Sequence, residues 1–278
     1  NCDPLYYRIS EYSDGRYSVA IGEVFASPPA LAFYDAIVDA DQGEGVAVLF
    51  GNYAGDNMNV KMAVQMAEDD DIEVKYVVAN DDVASAPKAV KEQRHGIAGG
   101  FFMWKVGGAR AAKGGSLDDV IASAQNVVNR TKSICVGLEP CVIPALGHSN
   151  FKIEDGTMEF GVGHHGEAGT KVEKLKSASE MAQEMAETIL NDFDFEEGKE
   201  VAVMLSGLGA TPVMELYVLY DEVEKVLAKA GHKVWKTYIG NYVTSLDMNG
   251  ASLTIVDLDD EIKELLSEPA VPIGMKNY

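Results

Sequence analysis

Two short apolar runs bracket a helical stretch in the first third of the chain, and that order limits the fold more than any other feature. GVAVLF (45–50) is continuously apolar, as a strand buried on both faces must be, and it runs into Gly51-Asn52. Residues 58–67 have helical character and are expected to face the core with their Met and Val positions, before acidic residues 68–71 close them. VKYVVA (74–79) reads as the next buried strand and ends in Asn80-Asp81-Asp82. Strand, loop, helix and strand, with polar residues at the carboxyl ends of the strands, is the order of an open α/β sheet.

The Gly- and Ala-rich stretch 96–115 predicts a closely packed helix ended by Gly114-Gly115. Ser116 then caps a helix to about Arg130, with Asp118 and Asp119 in its first turn. Across 131–150, short strand-like pieces alternate with Pro140, Pro144 and Gly147, which places a domain boundary there. Beyond it the pattern repeats: an amphipathic helix over 177–191, a strand over 201–206, and a turn at 207–212. A helix stopped by Gly231 and the strands VWKTYIG and SLTIVDL follow. A chain of 278 residues, 47% apolar, accommodates two such lobes. The expected fold class is therefore α/β, with lobes at 1–132 and 133–278. Each lobe is expected to hold a mixed, largely parallel sheet flanked by helices.

The formal charge of -21 repels phosphate backbones and anionic lipid, which argues against direct nucleic-acid or membrane-surface binding and suits docking onto a basic protein patch. No apolar run approaches the roughly 18 residues of a membrane span, and no signal-peptide pattern opens the residues given. Cys2, Cys135 and Cys141, an odd count without CxxC pairs, read as free thiols in a reducing compartment. The expected location is the cytoplasm, where the sequon Asn129-Arg130-Thr131 is incidental.

The densest chemistry lies in FGVGHHGEAG (160–169). Gly161, Gly163 and Gly166 fit GxGxxG formally, but no apolar strand leads directly into a helix here, so a dinucleotide site is disfavoured. His164, His165 and Glu167 invite a metal reading. Adjacent histidines on extended chain point to opposite sides, and HExxH or HxH spacing is absent, so no metal is expected. Two readings stay open: a plain loop with one exposed and one packed histidine, or a loop whose backbone approaches a ligand while a neutral imidazole acts as nucleophile towards a ketone. GNYAGDN (51–57) lies at a strand's carboxyl end, and Asp56 there either caps the next helix or accepts a proton from a substrate hydroxyl. Asn80-Asp81-Asp82 suggests a helix N-terminus or, less strongly, magnesium ligation. The turn SGLGATP (206–212) lacks GxxxxGK[ST], and no kinase catalytic loop is present, so any phosphoryl donor must be held by something else.

Six stretches in order, GEVFASP (22–28), GNYAGDNMN (51–59), NDDVA (80–84), MEFGVGHHGEAG (158–169), LGATPVMELY (208–217) and IGNYVTSLDMNGASLTIV (239–256), resemble one family. It is the dihydroxyacetone-binding K subunit of dihydroxyacetone kinases, with its non-catalytic coactivator paralogues. The resemblance implies a homodimer and covalent capture of the ketone as a hemiaminal on the histidine of the G-x-H-G-E-P-G loop, here His165. His164 holds a variable position. Asp56 stands where the family has its catalytic aspartate, in K-N-Y-x-G-D. Phe25, Ser27, Gly55, Gly166 and Glu167 fall on substrate-binding positions.

Three departures accompany the match. The family's loop lysine is Gly51, and the proline of the histidine loop is Ala168. Where a glycine-rich loop with a second histidine is expected upstream of Gly22, the residues read YSDGRYSVAIGEVF. Two uses of the captured ketone follow. In the first, the chain is a sensor that reports to a transcription factor of the operon. In the second, it is a kinase subunit that receives phosphate from a partner subunit, with no cofactor of its own. Loss of the lysine favours the sensor, and retention of Asp56 favours the kinase subunit.

Overall fold

The computed structural model describes residues 19–22, 24–149, 151–194 and 198–270. Its elements begin with α1 (Ala30–Ala40), β1 (Val46–Gly51), α2 (Ala54–Asp69), β2 (Val74–Ala79), α3 (Gly100–Ala112) and α4 (Leu117–Asn129). Then come β3 (Thr131–Glu139), β4 (Thr157–Phe160), β5 (Lys171–Lys174), α5 (Ala178–Asp192) and β6 (Glu200–Gly207). The last four are α6 (Val213–Lys229), β7 (Lys233–Gly240), β8 (Asn249–Asp257) and α7 (Asp260–Ser267). Cys2 and most of the segment upstream of Gly22 lie outside the described residues.

Two compact units result: Asn1–Asn80 with Gly100–Asn129 and Asp259–Tyr278, and Asp81–Gly99 with Arg130–Leu258. The expected division at 132/133 lies beside the Asn129/Arg130 crossing. The chain also crosses at Asn80/Asp81, Gly99/Gly100 and Leu258/Asp259, for reasons no local composition shows. The Ser133 N–H donates to Asp81 O at 2.8 Å and the Val83 N–H to Ser133 O at 3.0 Å, which ties 81–83 to β3. In the first unit Lys105 Nζ, on α3, holds the Leu265 and Glu268 carbonyls at 3.1 and 2.7 Å, which fixes the end of α7.

In the first unit β1 and β2 pair in parallel, from Val46 against Val74 to Gly51 against Ala79, as their apolar runs imply. One face packs Val46 and Phe50 against Phe33 and Ile37 of α1 and Val60, Ala63, Val64 and Ala67 of α2. The valines of α2 thus face the core as expected, but Met58 and Met62 do not, at 60% and 50% exposed. The 3.6-residue period carries positions 60, 63, 64 and 67 inward and turns 58 and 62 out. On α3, Trp104 Nε1 donates to Leu49 O at 3.1 Å, and a Cβ on Gly107 would stand 2.9 Å from Leu49 Cδ1, the close approach its composition predicts. Ser116 caps α4 reciprocally, its Oγ accepting from the Asp119 N–H while the Asp119 carboxylate accepts from the Ser116 N–H.

The second unit holds a six-stranded sheet in the order β5-β4-β3-β8-β6-β7. It is mixed, as expected, but the parallel pair is β6–β7, and the other neighbours run antiparallel. Residues 201–207 are buried without alternation, so the strand's own pattern cannot reveal the direction of its partners. One face of the sheet packs Ile134, Val203, Leu205 and Leu253 against Met185 and Ile189 of α5 and Leu216, Val223 and Leu227 of α6. Each such burial is worth about 1.5–3 kcal/mol. Ser177 and Glu180 form a capping box at the start of α5. Among the described residues no helix is long and apolar enough to cross a membrane, and Cys135 and Cys141 are free and buried.

Candidate functional site

The loop between β4 and β5 is pinned at its base. The Gly161 N–H donates to Cys135 O at 2.7 Å, and the Thr170 N–H donates to Phe160 O at 2.8 Å. Gly161 takes φ 76°, and a Cβ there would lie 2.6 Å from Ala84 Cβ, so the turn needs glycine on both counts. Because the loop joins two strands, the glycine pattern is not a nucleotide-binding turn into a helix.

Inside the loop Glu167 folds back over Gly163. One carboxylate oxygen accepts the His165 N–H at 2.8 Å, and the other lies 2.8 Å from His165 Nδ1. The Gly163 N–H reaches Glu167 O at 2.9 Å, and the Gly166 N–H reaches Gly163 O at 3.1 Å. Burial alone would raise the Glu167 carboxyl, but the hydrogen bonds and charge of His165 outweigh it and bring it down to about 2. The His165 side chain is 16% exposed.

His164 is buried, and burial, with the neighbouring His165, lowers its imidazole to about 4, so it is neutral near pH 7. Its carbonyl accepts from Ser245 Oγ, while its Nε2 has no hydrogen-bond partner. The two histidines therefore have opposite environments, one packed and one half-buried beside an anion. Among the described residues no group of three or more His, Cys, Asp or Glu is placed to hold a metal ion.

Beside this loop lies Asp81-Asp82-Val83-Ala84, whose Ala84 faces Gly161. Asp81 accepts the Ile97 and Gly99 N–H groups at 3.0 and 2.7 Å, so it stitches the 95–99 segment and starts no helix. The Asp82 carboxylate accepts the Ala84 N–H at 3.0 Å in a local turn. Burial raises Asp82 to about 7, and the charges of Asp81 and Glu167 add to the effect. Burial also pushes the Cys135 thiol well up, with the same three acids contributing.

The remaining predicted residues sit in the first unit. Asp56 is buried in the first turn of α2. The N-cap is Tyr53, without a side-chain cap bond, so Asp56 does not serve as the cap. A Cβ on Gly55 would meet Ser27 Cβ at 2.9 Å, which brings those two residues together. Phe25 takes φ 52°, a conformation costly for an aromatic residue. Three asparagines without an assigned role brace this group. Asn57 Nδ2 donates to Asn52 Oδ1 and Tyr53 O at 2.8 and 2.9 Å, and Asn59 Nδ2 to Ser27 Oγ and Pro28 O at 3.1 and 2.7 Å. The only sequence signal for them was their place inside the matched stretch 51–59.

The Dak1 domain matches residues 15–273 of the chain. In sequence the chain is similar to the PTS-dependent dihydroxyacetone kinase 1, dihydroxyacetone-binding subunit DhaK, of Listeria innocua serovar 6a. The two are 41% identical over 248 residues, which covers 89% of this chain and 75% of that protein. In structure it is similar to the dihydroxyacetone kinase operon co-activator Dha-DhaQ, with a TM-score of 0.87 and 27% identity over 97% of this chain and 85% of that one. The native form of the dihydroxyacetone kinase of C. freundii gives a TM-score of 0.86 and 26% identity, covering 98% of this chain and 50% of that one.

Proposed function

The chain belongs to the Dak1 family, and on that footing we propose that it captures dihydroxyacetone, or a close small ketone, as a hemiaminal on His165. The observation that carries the reading is the glycine-built loop after β4, which leaves the His165 ring half-buried with an anionic Glu167 on it. In the capture step a ring nitrogen adds to the carbonyl carbon and the carbonyl π pair moves to oxygen. The oxygen takes up a proton from solvent, so no other co-reactant is needed. By the family resemblance Phe25, Ser27 and Gly55 are assigned to substrate-binding positions and Gly166 to letting the backbone approach the ligand.

The use made of the captured ketone is proposed to be sensing: a non-catalytic coactivator of a dihydroxyacetone kinase operon, acting through a transcription factor. Gly51, where the family keeps a lysine, supports this, as does the likeness to an operon co-activator. A substrate-binding kinase subunit is the second reading, supported by the retained Asp56 and by the 41% identity to a DhaK subunit. There Asp56 would take the proton of the reacting hydroxyl. In both readings the chain is a cytoplasmic homodimer, and any phosphoryl donor belongs to a partner subunit. A monomer mass by light scattering at micromolar concentration would count against the dimer.

Dihydroxyacetone carrying 13C at C2 tests the capture directly. Binding should move that carbon from its ketone position to a tetrahedral one in the NMR spectrum. Absence of the shifted signal with the intact protein at millimolar ligand would end the reading.

A further inference from the structure

We infer that Glu167, seated over Gly163, is the positioning residue of His165: it keeps the proton of the neutral imidazole on Nδ1 and so makes Nε2 the nitrogen that adds to the ketone. This rests on the capture reading and specifies its geometry. Both carboxylate oxygens are committed to one residue, Oε2 to the His165 N–H and Oε1 to Nδ1, each at 2.8 Å. An ionised carboxylate can only accept, and Glu167 stays ionised down to about 2 because the contacts to His165 outweigh its burial. Nδ1 must then be the donor, and the lone pair of the neutral ring is left on Nε2.

The seat itself is written into the glycine pattern. A Cβ on residue 163 would stand 2.2 Å from Glu167 Oε2 and 2.8 Å from Glu167 Cβ, so only glycine leaves room for the fold-back. The backbone bond from the Gly163 N–H to Glu167 O, 2.9 Å, holds the turn closed independently of the carboxylate.

The same contact favours the product. As the Nε2 lone pair becomes the new N–C bond, the carbonyl π pair moves to oxygen and positive charge develops on the ring. The carboxylate beside Nδ1 offsets that charge. Oxygen then takes a proton from solvent, while the ring, as an imidazolium, keeps its Nδ1 proton on Glu167, so the step balances with the uptake of one solvent proton.

Proton-detected 15N spectra of the histidines in the ligand-free protein read the tautomer without reference to capture. The intact protein should carry the His165 proton on Nδ1. Glu167→Gln, whose amide can donate to Nδ1, should move the proton towards Nε2 and weaken capture of 13C-labelled dihydroxyacetone about ten- to hundred-fold, the range for a lost charge-assisted hydrogen bond. Gly163→Ala should shift the tautomer in the same direction with Glu167 still present, and His164→Ala should leave it alone. A proton on Nε2 in the intact protein, or unchanged tautomer and capture in Glu167→Gln, overturns the inference. The assigned tautomer without any adduct would instead sink the capture reading, so the two failures are distinguishable.

Discussion

Arg94 and Asp192 meet side-on, Nη1 to Oδ2 and Nη2 to Oδ1, both at 2.7 Å, with Arg94 only 1% exposed. Arg94 Nε also donates to Ala86 O at 2.7 Å, so the pair fastens the 81–99 segment to the end of α5. A buried pair gains little over an apolar substitute, but removal of one partner strands the other charge. Arg94→Met and Asp192→Leu should each lower stability by about 3–5 kcal/mol in urea denaturation. The double variant Arg94→Met with Asp192→Leu should recover most of that loss. Additive losses in the double variant would refute the coupling.

The two histidines should separate cleanly in capture. His165→Ala should remove the hemiaminal signal altogether, because the ring supplies the new bond. His164→Ala should leave capture within a few-fold, since that ring is packed away while its backbone carbonyl bonds Ser245. Equal losses in the two variants would defeat the assignment. Glycerol, which has no carbonyl, should bind far more weakly than dihydroxyacetone.

Asp82 and His164 bias stability in opposite directions with pH. Asp82 is raised from its ordinary 3.8 to about 7, so between those values the folded chain keeps a proton that the unfolded chain has lost. Its contribution is full below pH 4 and is lost as pH rises to 7. His164 is lowered from 6.5 to about 4, so its contribution is full above pH 6.5 and is lost as pH falls to 4. Between pH 4 and 6.5 the two slopes oppose each other in the intact protein. Burial raises the Asp81 carboxyl as well. Asp82→Asn in an Asp81→Asn background should therefore unmask a rise in stability with pH of roughly 2–3 kcal/mol across that window, at about 1.4 kcal/mol per tenfold proton affinity. His164→Leu should unmask a fall. Thermal melts at half-unit pH intervals would show either slope, and two flat profiles would contradict both.

Phosphoryl transfer separates the sensor from the kinase subunit. Mixed with a competent phosphoryl-donor subunit, the protein should bind dihydroxyacetone yet form little dihydroxyacetone phosphate. A missing cation near developing charge typically costs on the order of 10²–10³ in rate. Gly51→Lys should recover part of that, and Asp56→Asn in that background should remove it again while capture persists. Turnover by the unaltered chain at the rate of a working kinase subunit would promote the second reading.

Much of this was legible in the residues because the strongest signals are local. β1, α2, β2, α5, β6 and α6 follow from apolar runs, periodicity and caps within single segments. Strand direction in the six-stranded sheet was not legible, since the central strands are buried on both faces and lose their alternation. The start of α3 at Gly100 instead of 96 was hidden because Ile97 and Gly99 spend their N–H groups on Asp81, a partner sixteen or more residues away. At the site, the glycine density around His165 marked the loop. Seating Glu167 over Gly163 depends on a turn geometry that residue types alone do not specify, and the bond from Asn59 to Ser27 spans 32 positions.

The four crossings between the units bear on biosynthesis. The second unit lies within one internal stretch ending at Leu258, whereas the first requires α7, which starts at Asp260. Chains usually finish their amino-terminal body first as they leave the ribosome. Here the order is expected to reverse: the body that begins first lacks α7 until Lys105 has the Leu265 and Glu268 carbonyls to hold. Premature termination anywhere between Leu258 and Glu268 would release a finished second unit attached to an unfinished first one, a form that chaperones and proteases would meet with its α3–α4 surface uncovered.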